Sequence, residues 1–227
     1  MRKYMMIFSS SFISGLCIAL GATGYLMSLH YGNRFIGAFI FGIGLFTIIN
    51  FGLWLYTGKV GRLLDNKPKY LLDLLVCVIG NFLGVLFLSS MITFTRYGDI
   101  LKEQALPIIN AKQDDNPFSI FALSFLCGIM IYLAVVGHEI CTYNAGKILF
   151  AYLPIVLFIL CGFEHCVANV TYYVYAHHFS LKMVLYLFIM IIGNGVGSVF
   201  FDSMIKLVLK LKTEKKKTEA TDSNYIN

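Results

Sequence analysis

Long apolar stretches alternate with short polar segments along most of this chain. Six stretches contain almost no charged residues and are long enough to cross a bilayer, for which about 20 residues suffice. They are Tyr4–Leu29, Phe35–Leu55, Tyr70–Thr95, Phe118–Gly137, Ile148–Ala176 and Leu181–Phe201. The pattern predicts an all-α integral membrane protein with six transmembrane spans.

The fifth stretch departs from a simple span. It holds 29 residues and includes Pro154 and the run Gly162–Asn169, so it predicts two half-helices rather than one helix. The run contains Glu164 and His165 at membrane depth. An acid and an imidazole are costly at that depth, which makes these two residues a functional lead.

Composition agrees with a membrane protein, and the positive charges predict its orientation. Hydrophobic residues make up 58% of the 227 residues and charged ones 13%, against about 25% charged in soluble domains. With six spans, 13 of the 18 Lys and Arg residues lie on the side of the amino terminus; the other five are Arg34, Arg96, Lys102, Lys112 and Lys182. Both termini are therefore expected in the cytoplasm, with the protein in the plasma (inner) membrane. The net charge of +6 reflects this topology and indicates no nucleic-acid partner.

The two halves of the chain share a motif. Gly80-Asn81-Phe82-Leu83-Gly84 recurs as Gly193-Asn194-Gly195-Val196-Gly197, 113 residues later. If each half contributes three spans, the second half enters the membrane in the opposite sense, as an inverted repeat. A counterpart of the second-half break is then expected around Gly52–Gly61, near Thr57. Alternatively, the motif provides only small residues for close helix packing, and the echo alone favours neither interpretation.

Other function classes have weaker support. The six cysteines form no Cys-x-x-Cys pair, and His138-Glu139 lacks the second histidine of a zinc motif, so no metal or cofactor and no enzyme activity is expected. Asn116-Pro117-Phe118 is one imperfect match to the paired Asn-Pro-Ala loops of neutral-solute channels. A neutral small-solute channel and, with less support, an intramembrane enzyme remain the alternatives. A structural protein would leave Glu164-His165 unexplained.

The run Phe163-Glu164-His165-Cys166-Val167-Ala168-Asn169, preceded by Lys147 and Pro154, resembles the signature of the formate/nitrite transporter family. Its members are pentameric channels for small monovalent anions, including hydrosulfide conductors and, in some cases, lactate conductors. The resemblance implies a homopentamer of aquaporin-like architecture. It covers nearly the whole chain, which is divided into a channel domain (1–211) and a disordered Lys-rich tail (212–227).

The resemblance also assigns individual residues. Lys112 lies 53 residues before His165, like the family's outer-vestibule lysine, and Thr57 lies 16 after Phe41, like its loop threonine. By the same resemblance, Phe41, Leu45 and Phe158 form apolar constrictions on either side of His165.

Two positions depart from the family pattern. Gly128 stands where several members carry Asn in the fourth span, so one pore-side polar contact is expected to be missing. Only Met1–Lys3 precede the first span, where members carry an amphipathic helix, which argues against amino-terminal gating.

Elementary chemistry fits a channel for weak-acid anions. An anion in a dry constriction loses its hydration, and this cost must be offset by pairing or by neutralisation. The expected roles are recruitment of the anion by Lys112, a hydrogen bond or proton from His165, and further hydrogen bonds from Thr57 and Asn169. Glu164 has a structural role or is a proton partner. The expected substrates are formate or nitrite first, then hydrosulfide or short carboxylates, moving together with protons.

Overall fold

The computed structural model describes the backbone of residues 1–225 and the side chains through Glu214. The helices of this part of the chain are α1 (Arg2–His30), α2 (Arg34–Asn50), α3 (Tyr56–Lys59), α4 (Tyr70–Thr93), α5 (Gly98–Asp114), α6 (Pro117–Ile140), α7 (Asn144–Cys161), α8 (Cys166–Tyr175) and α9 (Leu181–Tyr225). A 3₁₀ segment, Val60–Asp65, lies between α3 and α4.

Apolar helices account for all six predicted spans. Within the described residues, five helices are long and apolar enough to cross a membrane: α1, α4, α6, α7 and α9 through Glu214. The predicted second span is a shorter apolar helix, α2, followed by a break and α3. The predicted fifth span is likewise divided into α7 and α8. The chain is therefore an all-helical membrane protein, and both interruptions lie where the sequence predicts them.

The two interruptions are built alike. Gly52 follows α2 with φ +64°, and Gly162 follows α7 with φ +69°, a left-handed conformation that glycine adopts without strain. The next residue in each break donates its N–H back into the helix, Leu53 to the carbonyl of Ile48 (2.9 Å) and Phe163 to that of Phe158 (3.0 Å). Both helices thus end in the same turn, which directs the chain back into the protein.

A buried asparagine on α9 holds the second break in place. The side-chain amide of Asn194 donates to the carbonyls of Ser124 (2.8 Å) and Glu164 (2.8 Å). Its carbonyl oxygen accepts the backbone N–H of Cys166 at 2.9 Å. Asn194 is fully buried. One side chain therefore satisfies backbone groups on α6 and on both sides of His165, where no water is available to do so.

Asn81 on α4 does the same for the first break. Its amide donates to the carbonyls of Ser11 (2.8 Å) and Trp54 (3.0 Å), and its oxygen accepts the N–H of Tyr56 (2.9 Å). Ser11 and Asn81 precede their second-half counterparts by the 113 residues of the sequence echo. The echo therefore marks a structural repeat as well as close packing.

Gly128 belongs to this packing, and the expectation that it marks a missing pore-side contact is wrong. A Cβ at Gly128 would lie 2.2 Å from the carbonyl oxygen of Asn194, and its counterpart Gly15 would place one 2.2 Å from the carbonyl oxygen of Asn81. Both glycines let two helix backbones approach closely. Gly128 faces α9, so a larger side chain there has no room.

Helix α5 was not predicted, because the sequence around Lys112 is polar and indicates a solvated loop. Its buried residues include Leu101, Ala105, Ile109 and Lys112, spaced by three or four positions as on one helix face. This amphipathic pattern predicts a helix, but it is too polar to be recognised as a membrane span.

Helix α9 also continues past the predicted last span. Its backbone is helical through residues 212–225, where composition predicts a disordered tail, and residues 226–227 lie outside the described chain. Lys, Glu and Ala are good helix formers, and they follow directly from the helical span.

We expect Asn194→Ala to destabilise the protein by about 2–4 kcal/mol, because two buried backbone groups of the break lose their partner and the link to α6 is removed. Thermal unfolding of the purified protein followed by circular dichroism measures this loss. The matched control is Asn50→Ala, since Asn50 is exposed and donates only to the carbonyl of Phe46 in its own helix. Equal melting temperatures for the two variants would contradict the bracing role.

Candidate functional site

His165 lies at the start of α8, where the second break ends. Its Nδ1 accepts the backbone N–H of Ala168 at 3.0 Å and so caps the helix. Its Nε2 lies 3.0 Å from Oγ1 of Thr57, the second residue of α3. Because Nδ1 is an acceptor, these bonds assign a neutral ring that carries its proton on Nε2 and donates it to Thr57. The pair joins the two breaks of the chain.

Apolar side chains surround this pair. The ring of Phe158 stacks on the imidazole with centroids 5.9 Å apart, and Phe41 meets Phe158 edge-on at 5.6 Å. Leu45 lies one turn further along α2 than Phe41. Each of these five side chains is at most 2% exposed. The centre is therefore a dry apolar block with one polar pair inside it.

A recess of about 100 Å³ opens on one side of the block. We call it the first recess. Its walls are mainly apolar but hold several polar groups. The lining residues include Tyr25, Arg34, Lys112, Phe158, His165, Asn169 and Tyr172.

A second recess, of about 80 Å³, opens on the other side. It is lined by residues that include Leu45, Gly52, Lys59, His138 and Glu139. Arg34 begins α2 and Gly52 follows its end, so the two recesses lie at opposite ends of this helix. Between them lie Phe41 and the Thr57–His165 pair.

Lys112 and Glu164 form a buried ion pair in the wall of the first recess. Nζ of Lys112 lies 2.6 Å from each carboxylate oxygen, and the side chains are 10% and 4% exposed. The amide of Asn169 donates to the same carboxylate at 2.6 Å. The carboxylate is therefore matched by a cation and a neutral donor, as a charge at this depth requires.

The structure brings the residues predicted from the sequence into two neighbouring groups. Thr57, Phe41, Leu45, Phe158 and His165 form the block. Lys112, Glu164 and Asn169 form the wall beside it. Glu164 and His165 are adjacent in the chain, yet one contacts Lys112 and the other contacts Thr57.

The first recess is also lined by Arg34, Tyr25 and Tyr172, which were not predicted from the sequence. In the sequence, Arg34 is one of the five positive charges on the side opposite the amino terminus. Both tyrosines lie inside apolar stretches. Tyr172 is seven residues after His165, so it lies two turns along the helix that His165 begins; this helical spacing is the signal that could have identified it.

Interrupted helices that meet at a buried polar pair between two recesses are features of membrane channels and transporters. The sequence profile described as Formate/nitrite transporter matches residues 1–208, and the chain belongs to this family. The resemblance predicted from Phe163–Asn169 is confirmed. The family consists of channels and transporters, not enzymes.

Several relatives are identical to this chain at about a quarter of the aligned positions. The formate channel FocA of Haemophilus influenzae is 28% identical over 185 residues, which cover 74% of this chain and 65% of that protein. The formate channel FocB of Escherichia coli is 26% identical, and the match again covers 65% of the relative's length. The uncharacterized transporter YrhG of Bacillus subtilis is 27% identical over 92% of this chain and 86% of its own.

Solved structures show the same fold. A pentameric formate channel with formate bound superposes with a TM-score of 0.77 at 21% identity, over 92% of this chain and 98% of that one. An FNT family ion channel superposes with a TM-score of 0.75 at 22% identity, over 89% of each chain.

We expect Lys112→Gln to destabilise the protein by about 3–5 kcal/mol, because it leaves the buried Glu164 carboxylate without a cation. The double variant Lys112→Gln/Glu164→Gln should recover most of that loss, since it removes both charges. Thermal unfolding of the purified variants measures the coupling.

Arg62→Gln is the matched control for an exposed ion pair. Arg62 pairs with Glu139, and their side chains are 46% and 40% exposed. Such a pair contributes about 0–1 kcal/mol. A double variant at the buried pair that is no more stable than Lys112→Gln would contradict the charge argument.

Proposed function

We propose that this protein is a membrane channel for small monovalent weak-acid anions that cross together with a proton. Formate and nitrite are the first candidates, and hydrosulfide and short carboxylates are the next. The observation that carries the proposal is the neutral Thr57–His165 pair, buried in an apolar block between two recesses. The names of the formate channels that the chain resembles support this substrate class.

The apolar block determines what can pass. Phe41, Leu45 and Phe158 offer no hydrogen bond to an ion, so an isolated charge between them has a large desolvation cost. A weak acid avoids the cost when its anion takes up a proton in the recess and crosses the block as the neutral acid. The narrow aromatic contacts favour the smallest substrates.

His165 is placed to serve this step. Its Nε2–H faces Thr57 on α3, and these two residues are the polar pair inside the apolar block. The imidazole can donate a hydrogen bond to an anion entering from the first recess. It can also release its Nε2 proton to the anion as Nδ1 takes up another proton from the solution, so that the ring stays neutral. Thr57 relays or replaces that bond without adding charge, and Asn169 offers a further polar contact in the recess wall.

Lys112 and Glu164 act as a pair in the proposed channel. Lys112 lines the first recess and can contact an anion there at short range, while Glu164 balances most of its charge and the Glu164 backbone carbonyl accepts a hydrogen bond from Asn194. Glu164 therefore supports the geometry around His165, or exchanges protons with it by way of the recess.

We further propose the arrangement of the protein in its membrane. The matching contacts of Asn81 and Asn194 support an inverted three-plus-three repeat of aquaporin-like architecture. The distribution of Lys and Arg supports cytoplasmic termini in a plasma (inner) membrane. The pentameric relative supports a homopentamer. Residues 1–211 then form one channel domain.

We expect proteoliposomes containing the protein to take up formate or nitrite, and to do so faster at pH 5 than at pH 7. Protons are consumed on the entry side, so uptake rises as the pH falls. Competition among formate, nitrite, hydrosulfide, acetate and lactate ranks the substrates. Uptake of glycerol without uptake of any anion would instead favour a neutral-solute channel, and equal anion uptake at both pH values would contradict proton coupling.

We expect His165→Ala to reduce anion uptake about tenfold, equivalent to about 1.4 kcal/mol in the barrier. His165→Asn keeps an oxygen that can cap the N–H of Ala168 but removes the imidazole, so it should fold and still conduct poorly. His30→Ala is the control, since His30 is an exposed residue at the end of α1. A folded His165→Asn variant with normal flux would refute the role of the imidazole.

A further inference from the structure

The charge of Lys112 is balanced inside the protein. Its Nζ contacts both oxygens of Glu164 at 2.6 Å, and both side chains are buried. Seen from the first recess, two opposite charges at this separation largely cancel. The pair therefore supplies little net attraction for an anion.

Arg34 lines the same recess and carries an unbalanced charge. Among the ion pairs of the side chains described through Glu214, none includes Arg34. One guanidinium nitrogen donates to the carbonyl of Leu160 at 3.0 Å. A guanidinium has five N–H donors in a planar fork, so donors remain for a ligand. The net positive charge of the recess is that of Arg34.

Tyr172 adds a hydroxyl group that has no partner. Tyr172 lines the first recess and is 6% exposed, and its hydroxyl oxygen is buried without a hydrogen-bond partner in the described part of the chain. An unsatisfied buried hydroxyl lowers stability. A group retained at that cost beside a cation in a recess indicates a ligand that bonds to it.

The size of the recess limits that ligand. Its volume is about 100 Å³, and one water in the liquid occupies about 30 Å³. An anion of three or four heavy atoms therefore fits in the recess. Two oxygens on one centre also match the planar fork of a guanidinium.

We propose that Arg34 and Tyr172 form a binding site for a small two-oxygen anion, a carboxylate or nitrite, in the first recess ahead of His165. The guanidinium fork binds the oxygens and the Tyr172 hydroxyl donates to one of them. The inference deepens the proposed function, on which it rests, by assigning capture of the anion to Arg34.

The first test compares Arg34→Gln with Arg34→Lys and Arg96→Gln in formate or nitrite uptake. Arg34→Gln should raise KM about fivefold to tenfold, equivalent to about 1 kcal/mol, with little change in kcat. Arg34→Lys keeps the charge without the fork and should recover part of the loss. Arg96 is an exposed arginine that contacts Tyr97 and does not line the first recess, so Arg96→Gln should keep the normal KM. An unchanged KM in Arg34→Gln would overturn the proposal.

The second test uses Tyr172→Phe and measures stability and affinity together. Removing an unpartnered buried hydroxyl should raise the melting temperature, while the lost hydrogen bond should raise KM about fivefold. A purely structural tyrosine would not combine a gain in stability with a loss of affinity. A higher melting temperature with an unchanged KM would overturn the role of Tyr172.

Binding measured without transport separates this inference from the proposed function. Formate or nitrite should raise the melting temperature of the unaltered protein, because a ligand stabilises the state that it binds. The increase should be smaller in Arg34→Gln and in Tyr172→Phe. If the unaltered protein binds but does not conduct, the site stands and the channel proposal fails. If it conducts and anion binding is the same in all variants, the site fails and the channel proposal stands.

Discussion

The structure depends on satisfying exposed backbone groups in an apolar interior. Breaking a helix at membrane depth frees N–H and C=O groups that neither lipid nor water can satisfy there. Asn81 and Asn194 each bond to two of these groups and to one carbonyl of a neighbouring unbroken helix, so each ties one break to the helix that packs beside it. These two side chains therefore hold the segments that carry Thr57 and His165.

Charged groups in the interior are compensated in the same way as backbone groups. The buried carboxylate of Glu164 contacts Lys112 and Asn169, and the imidazole of His165 is neutral because Nδ1 accepts from Ala168. Ionisable groups thus approach the centre without leaving net charge there. A permanent charge beside Phe158 would hold an ion of opposite sign and repel one of the same sign, and either effect would obstruct repeated passage. In the proposed channel, a neutral donor pair would bind the anion weakly enough for release.

More of the architecture than of the site could be predicted from the sequence. Hydropathy predicts the spans and the Gly162–Asn169 run predicts the second interruption, because apolar length and misplaced polar residues are local features of the sequence. The first interruption is predicted from the repeated Gly-Asn motif, as the counterpart of the second. The ion pair between Lys112 and Glu164 could not be predicted, since it depends on how α5 packs against the second break. For the same reason, the sequence does not predict that Arg34 lines the first recess. The close approach of α9 to Gly128 could not be predicted either, because the space beside a glycine is set by the neighbouring helix.

The repeat is symmetrical in its scaffold but not in its chemistry. Gly52 corresponds to Gly162 and Trp54 to Glu164, each 110 residues apart, so the residue corresponding to His165 is Leu55. Leu55 precedes α3 without a side-chain cap, whereas His165 caps α8 through Nδ1. Duplicated geometry thus brings two helix starts together, and a single imidazole between them supplies the bond to Thr57. Leu55 is buried, so a histidine in both breaks would place a second polar ring in the apolar interior; the asymmetry leaves one such donor there.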